Sequence, residues 1–371
     1  MSGPVVVFSG GGTGGHLVPG LNVAGALLGR YPDAHIRFLI LGREVERRFL
    51  DNTPYHTRRI ISARAPRGKV ELPGTVIRLA AGTVQCAAGY LRPRPDVVVG
   101  LGGYGSIPGL LAAWLLRVPM TQIEVNRSPG LAVRKLAPRC RMTWTVFDEA
   151  ARRLAGPTRT VGFPLPEGYG EIDRGEARGR FGLDPSRPTV VVVGGSQGAS
   201  VLNRLMTEMA PALAGRDVQV LHQAGPAEAD AVARAFDEAG LASTVLPFVD
   251  DMQAAWSAAD VVVCRAGAAT VAELSAVGRA TVFVPFAGAA EAHQSKNVEA
   301  LAEDDRAEVV PEKDADHLLP IKIMDLLDDA TRRDRLARRM KQDGRHDATA
   351  RIADDLAALI ETRDVRGVTR P

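Results

Sequence analysis

The chain has 371 residues, 46% of them hydrophobic and 24% charged, enough to build a sizeable core and more than one domain usually spans. The formal charge is +3, the sequence pI is near 8.9 and aromatic residues make up 5%, so no interleaved basic and aromatic platform exists and no nucleic-acid partner is expected. No apolar run reaches the roughly 18 residues of a spanning helix, MSGPVVVFSGGG does not read as an export signal, and Cys86, Cys140 and Cys264 lack metal-ligand spacing, which points to buried thiols in a reducing, cytoplasmic setting.

The first strand-like run, VVVF (5–8), leads into SGGGTGGHLVPG (9–20) and then an apolar stretch with helical spacing. Gly10, Gly12 and Gly15 satisfy G-x-G-x-x-G, a turn that holds a phosphate at a helix start or is glycine-rich for steric reasons alone. IRFLIL (36–41), DVVVGL (96–101) and MTQIEV (120–125) follow, separated by helical patterns. An NAD site needs an acidic residue closing the second strand. IRFLIL instead ends in Gly42 and Arg43, with Glu44 beyond the turn.

Residues 161–188 carry Pro164, Pro166, Gly168 and Gly170 without sustained periodicity and read as a connection. A second series then repeats the first: TVVVVG (189–194), VQVLHQ (218–223), DVVVCR (260–265) and TVFVPF (281–286). The expected domains are therefore 1–163, 164–345 and a carboxy-terminal helix and tail, 346–371, able to lie across either. Strands alternating with helices argue for an α/β chain of two Rossmann-like domains with parallel sheets. Binding turns then sit at the carboxyl ends of the strands, across a cleft.

The second series has its own glycine turn, GGSQGAS (194–200), before an apolar-periodic stretch. Its third strand runs into the small residues Ala266, Gly267, Ala268 and Ala269, then Thr270 and a helix expected to carry Glu273 in its first turn. Small residues admit a ligand near the backbone, and a carboxylate one turn on accepts hydrogen bonds from a diol such as ribose or complements the helix dipole.

GGTGGHLVPG, GLGGYGSIPG, VVGGSQGASVLN, FVDDM, DVVVCRAGAATVAE and HQSKN occur in the order found in the MurG family, and the chain resembles that family from about residue 5 to 300. These are bacterial inverting glycosyltransferases of the GT-B arrangement. The resemblance implies transfer of N-acetylglucosamine from UDP-N-acetylglucosamine to the 4-hydroxyl of the N-acetylmuramoyl unit of lipid I, giving lipid II for peptidoglycan. It assigns the lipid acceptor to the amino-terminal domain and most of the nucleotide sugar to the carboxy-terminal one. It also implies a peripheral position on the cytoplasmic face of the plasma membrane, an anionic membrane surface as partner, and cell-wall and division proteins nearby.

Carried over by position, Thr13, Gly14 and Gly15 contact the donor's phosphate and sugar, and Ser196 binds phosphate. Val249 offers backbone groups to uracil. Arg265 and the run Ala268, Ala269, Thr270, Val271, Ala272 and Glu273 line the nucleotide pocket, with Glu273 on the ribose. Gln294 holds the sugar, and Asn203 supports the turn beside the substrate. Tyr104, Glu124 and Asn126 match acceptor-side positions. His16 is the expected base, since an alcohol nucleophile gains from a near-neutral base within hydrogen-bond reach; Glu124 is the alternative base, and His16 acting only to orient the turn is the other reading. His293 is expected to position the sugar.

No cofactor is expected, the nucleotide sugar being a substrate, and a divalent cation at most stimulates. Asp314 and Asp316 form D-x-D, but at an expected helix start, where capping explains them.

Four positions depart from the family pattern: Ile123 for histidine, Val125 for glutamine, Phe163 for asparagine and Pro166 for a donor-contacting arginine; Ala292 also replaces an acidic or amide residue. A related transferase with another lipid or small-molecule acceptor is one rival reading, and a non-catalytic cell-wall scaffold is the other. Residues 63–95 mix apolar residues with Arg64, Arg67, Lys69, Arg78, Arg92 and Arg94, and Trp114, Leu115, Leu116 and Arg117 form a second cluster. Such segments meet an anionic membrane or are buried helices flanked by solvated arginines.

Overall fold

The computed structural model describes residues 3–11, 14–63, 66, 68, 70–195, 197–287, 293–341 and 347–365. In chain order its first part comprises β1 (Val5–Ser9), α1 (Gly14–Arg30), β2 (His35–Ile40), α2 (Glu44–Leu50), β3 (His56–Arg59), α3 (Leu72–Gly89), β4 (Val97–Gly100), α4 (Gly103–Leu115), β5 (Met120–Glu124), α5 (Leu131–Leu136), β6 (Thr143–Thr145), α6 (Asp148–Arg152) and β7 (Thr158–Thr160). The second part comprises α7 (Arg174–Arg180), β8 (Thr189–Val193), α8 (Ser200–Ala214), β9 (Gln219–Gln223), α9 (Ala229–Glu238), β10 (Ser243–Leu246), α10 (Met252–Ala258), β11 (Val261–Cys264) and α11 (Ala268–Val277). It continues with β12 (Ala280–Phe283), α12 (His293–Glu303), β13 (Glu308–Val309), α13 (Ala315–Asp328) and α14 (Ala330–Lys341), and α15 (Ala348–Val365) ends the chain.

Two sheets form, of order β3-β2-β1-β4-β5-β6-β7 and β10-β9-β8-β11-β12-β13. Every pairing is parallel. The order reverses direction between β1 and β4 and again between β8 and β11, so each unit has one topological switch point, where open α/β sheets bind ligands. The valine runs follow from parallel sheets covered on both faces. In β8, Val190 and Val192 enter one core cluster and Val191 and Val193 the other, the period-two split of a strand between two helical layers.

Both units start their central pair alike. Asp96 accepts the Val5 amide at 2.8 Å and Asp260 accepts the Thr189 amide at 2.7 Å, so the aspartate of each DVVV run satisfies the first amide of the neighbouring strand. Five short strands (β3, β6, β7, β10 and β13) lie beyond the eight runs expected. They extend the sheets away from the switch points.

The compact units are residues 1–167 with 345–371, and residues 168–344. The division falls after the expected 163/164 boundary because the connection is tied back to the first unit: Asn22 donates to the Pro164 carbonyl at 2.8 Å and Thr349 to that of Leu165 at 2.5 Å. The last helix belongs to the same unit. The Tyr31 hydroxyl reaches Glu361 at 2.9 Å, and the fully buried Trp144 donates its indole N–H to Asp355 at 2.8 Å. All three cysteines are free and buried, and burial raises the Cys86 and Cys140 thiols to about 12.

Asp355→Ala leaves the Trp144 indole N–H without its acceptor and removes the partner of Arg159, at 2.7 Å. Urea unfolding is expected to show a loss of about 1–3 kcal/mol, most of it restored by Asp355→Asn.

Candidate active site

At the first switch point the turns after β1 and β4 meet glycine to glycine. A Cβ on Gly10 (φ +113°) would lie 3.1 Å from the Gly102 carbonyl oxygen, and one on Gly102 (φ +84°) would lie 3.1 Å from His16 Cδ2. The half-buried His16 ring therefore packs on the bare Gly102 backbone at the start of α1. Gly14, Gly15 and half-buried Tyr104 stand at the starts of the two helices that leave these turns. Thr13 lies outside the described residues.

Glu124 closes β5, the strand next to β4. It is only 3% exposed, and its carboxylate accepts the Asn126 amide at 2.9 Å, the Asn126 side chain at 3.1 Å and the Gly130 amide at 3.0 Å. Burial raises its pKa against the lowering effect of these donors. Through these three bonds Glu124 shapes the 124–130 loop and orients Asn126. Asn126 itself is half-buried, with its amide nitrogen anchored.

The NAD requirement also meets a structural answer. Glu44 is exposed, while Glu46, fully buried, accepts the Leu41 amide at 3.1 Å and the Arg43 amide at 2.7 Å, so the carboxylate beside the end of β2 is used by the chain itself.

At the second switch point the β8–α8 turn presses on the turn after β9: a Cβ on Gly198 (φ +78°) would lie 2.1 Å from the Ala224 oxygen, and one on Gly225 (φ +86°) 2.4 Å from the Gln197 oxygen. Ser196 lies outside the described residues. Asn203, expected beside the substrate, is 2% exposed and donates to the Ala224 carbonyl at 2.9 Å and to Glu228 at 3.0 Å. Its Oδ1 faces His222 Nε2 at 2.9 Å. Asn203 thus braces the turn. Ser200 donates to the same Glu228, whose pKa is held down by the Ser200 and Asn203 hydrogen bonds.

The β11–α11 turn carries Arg265. Its guanidinium donates to the Val284 carbonyl at 3.1 Å and to Glu312 at 2.6 Å, and lies 5.3 Å from the centre of the Phe286 ring. Burial would raise the Glu312 carboxyl, but the Ala287 amide and Arg265 together bring it below its usual range. Gln294 accepts the Ala266 amide at 3.3 Å and the Phe286 amide at 2.8 Å, pinning two loops at the sheet's carboxyl edge. Asn297 donates to the Ala266 carbonyl at 3.2 Å from below.

α11 begins at Ala268, which puts Glu273 in the second turn and not the first. It is half-buried, accepts the Trp256 indole N–H at 2.8 Å, and burial pushes its carboxyl up to about 7. A second-turn position weakens the helix-dipole explanation. Of the run expected to line the pocket, Ala269, Thr270, Ala272 and Glu273 are partly accessible, while Ala268 and Val271 are buried, Val271 within the core. Val249 is buried in the loop before α10, so only its main chain can serve a ligand. The His293 side chain and Ala292 lie outside the described residues.

Among the described residues no group of three His, Cys, Asp or Glu side chains is placed to hold a metal ion. Asp316 lies in the first turn of α13 and pairs with Arg204 at 2.5 Å. Of the departures from the family pattern, Ile123, Val125 and Phe163 are buried and Pro166 is exposed.

The Glycosyltransferase family 28 N-terminal domain profile matches residues 6–144, and the Glycosyltransferase family 28 C-terminal domain profile matches residues 189–354. A UDP-N-acetylglucosamine–N-acetylmuramyl-(pentapeptide) pyrophosphoryl-undecaprenol N-acetylglucosamine transferase of Anaeromyxobacter dehalogenans (strain 2CP-C) is 35% identical, covering 96% of this chain and 94% of its own. The enzyme of that name from Streptomyces avermitilis is 37% identical over 92% and 95%. The chain belongs to the MurG family of glycosyltransferases. The crystal structure of Acinetobacter baumannii MurG is similar to it with a TM-score of 0.74 at 26% identity, covering 96% of this chain and 99% of that one. Membership in the MurG family makes the chain a UDP-sugar glycosyltransferase with the two-domain GT-B fold. Within that family the β1–α1, β8–α8 and β11–α11 motifs stood out in the sequence, whereas Trp256, Glu312 and Glu228 carried no motif and emerge only through their partners.

Gly102→Ala places a Cβ at a left-handed backbone position and against His16, so transfer should fall at least about tenfold while donor binding is kept; steady-state rates with UDP calorimetry check this. Burial lowers the His222 pKa from 6.5 to about 3, so the folded state excludes its proton. The stability tied to neutral His222 is then complete above pH 6.5 and is lost as pH falls toward 3, by up to about 5 kcal/mol. His222→Gln should flatten that part of the acid-unfolding profile.

Proposed function

We propose that this protein transfers N-acetylglucosamine from UDP-N-acetylglucosamine to the 4-hydroxyl of the N-acetylmuramoyl unit of lipid I, with inversion, giving lipid II for peptidoglycan. The observation that carries this reading is near full-length similarity to transferases of that name, at 35–37% identity. Two switch points, each with a glycine turn against a bare backbone, supply the frame such a reaction needs.

In this reading the first unit holds the acceptor. The 4-hydroxyl oxygen attacks the anomeric carbon as its proton passes to His16, and UDP leaves with the bonding electron pair. Asn126 and Tyr104 orient the acceptor sugar, and Gly14 and Gly15, with Thr13, approach the donor's phosphate and sugar. The second unit holds the nucleotide. The starts of α8, with Ser196, and of α11 meet the diphosphate, as preorganised dipoles and backbone amides do for developing negative charge. Arg265, fixed by Glu312, adds a positive charge. Glu273 accepts the ribose hydroxyls, the Val249 main chain meets uracil, and Gln294, its oxygen already bound to two amides, offers its nitrogen to the sugar. No resident cofactor enters this scheme, and a divalent cation is assigned no more than a stimulating role.

We also assign the enzyme to the cytoplasmic face of the plasma membrane as a peripheral protein, near the cell-wall and division machinery. α3 and α4 pack on each other, yet Ile77 at 68%, Val84 at 71% and Leu115 at 61% remain exposed, which favours a surface contact over the buried-helix alternative. Arg139 lies 5.4 Å from the Trp114 ring centre, and Arg92 and Arg94 flank the same elements. Arg64, Arg67 and Lys69 lie outside the described residues. Among the described residues no helix is long and apolar enough to cross a membrane.

His16→Ala should lower kcat by about 100-fold or more at saturating substrates, with UDP affinity unchanged; an unaltered kcat removes His16 as the base. Burial raises the Glu273 carboxyl to about 7. Its charged form accepts ribose hydroxyls, so UDP affinity should weaken as pH falls from 8 to 6. Glu273→Gln should bind about tenfold more weakly at pH 8 and lack that component of the pH profile. Superimposable calorimetric pH profiles for the two proteins would remove the ribose assignment.

A further inference from the structure

A cavity of about 1080 Å³ opens in the first unit beside the ends of β2 and β3, roofed by α3. Arg43, Arg59 and Arg78 line it against one carboxylate, Glu71. Arg59 and Arg78 are exposed, and the Arg59 chain lies along the β2–α2 turn, where a Cβ on Gly42 (φ +80°) would lie 2.9 Å from its Cδ. The wall is built in advance of any ligand. Gln85 accepts the Ile61 amide at 2.8 Å and donates to the Arg59 carbonyl at 3.2 Å, and Ser62 donates to the Tyr104 carbonyl at 3.0 Å, joining the cavity to the first turn of α4 at the switch point.

We propose that this cavity binds the carboxylate-bearing peptide stem of the acceptor. The inference rests on the lipid I reading above, since that acceptor carries a peptide on the ring carbon next to its reacting hydroxyl. β2 and β3 are the first and second neighbours of β1 on that side, which places the cavity roughly 5–10 Å from the switch point. Five extended residues span up to about 17 Å, so the stem reaches it. Guanidinium groups match carboxylates in a paired fork geometry. The volume is that of a site for a ligand of several residues and exceeds what a pyrophosphate fills.

The test uses the full-length protein and the double variant Arg59→Ala, Arg78→Ala, both exposed positions whose loss spares the core. Calorimetry with soluble N-acetylmuramoyl-pentapeptide, which has neither lipid nor pyrophosphate, should show about tenfold weaker binding by the variant. In transfer assays the acceptor KM should rise by a similar factor, with kcat and donor KM held within about twofold. A peptide-free lipid analogue should not distinguish the proteins, and amidating the peptide carboxylates should reproduce the loss in the parent. Equal loss with the peptide-free acceptor would assign the arginines to the pyrophosphate, and loss confined to anionic vesicles would assign them to lipid headgroups; either result, or no loss, overturns the proposal. A parent that binds the sugar-peptide through these arginines but transfers to no acceptor would keep the cavity assignment and reject the reaction.

Discussion

The structure depends on backbone lying directly on backbone at the two switch points. Gly10 rests on Gly102 in the first unit, and Gly198 on the Ala224–Gly225 corner in the second, each at a positive φ that a side chain tolerates poorly. Because no Cβ intervenes, the helix starts sit close to the strand ends, and amide dipoles are oriented before any substrate arrives. Such preorganisation is what a developing diphosphate charge requires. The same bare surface lets His16 settle against Gly102, so the position of the proposed base is set by glycine chemistry as much as by its own side chain.

Around these contacts stands a set of buried polar braces. Glu46 holds the β2–α2 turn, Glu124 the loop beyond β5, and Asn203, with the half-buried Glu228 as one of its partners, the β8–α8 turn of the second unit. Each is expensive to bury alone and is stabilising only when its hydrogen bonds are complete. Their loops therefore have one well-defined arrangement. Arg265 follows the same logic: Glu312 and the Phe286 face fix a cation that would otherwise swing in solvent. In the proposed reaction the side chains that meet substrate occupy the accessible ends of these networks, with support behind them.

Much of this was legible in the sequence, for identifiable reasons. Valine-rich runs betray central parallel strands because they are buried on both faces, and the paired DVVV segments mark equivalent strands in the two units. The glycine motifs mark the switch points because only glycine allows that approach. The short strands β3, β6, β7, β10 and β13 escaped because two to four residues, several of them exposed, carry too little periodicity. The division near residue 167 escaped because it rests on Asn22 and Thr349 reaching carbonyls more than 140 positions away. Glu124 and Asn203 illustrate a different limit: a motif marks a residue as belonging to a site without saying whether it touches substrate or holds what does. Only burial and hydrogen-bond partners separate the two.

The most direct test of the central claim is transfer of labelled N-acetylglucosamine from its UDP conjugate to a soluble lipid I analogue, with UDP release in the absence of acceptor as control. The account predicts a labelled disaccharide product and acceptor-dependent UDP release, despite isoleucine at 123, phenylalanine at 163 and proline at 166. Tight UDP-N-acetylglucosamine binding with no labelled product would contradict it, and would mean that these departures had changed the acceptor or ended the activity.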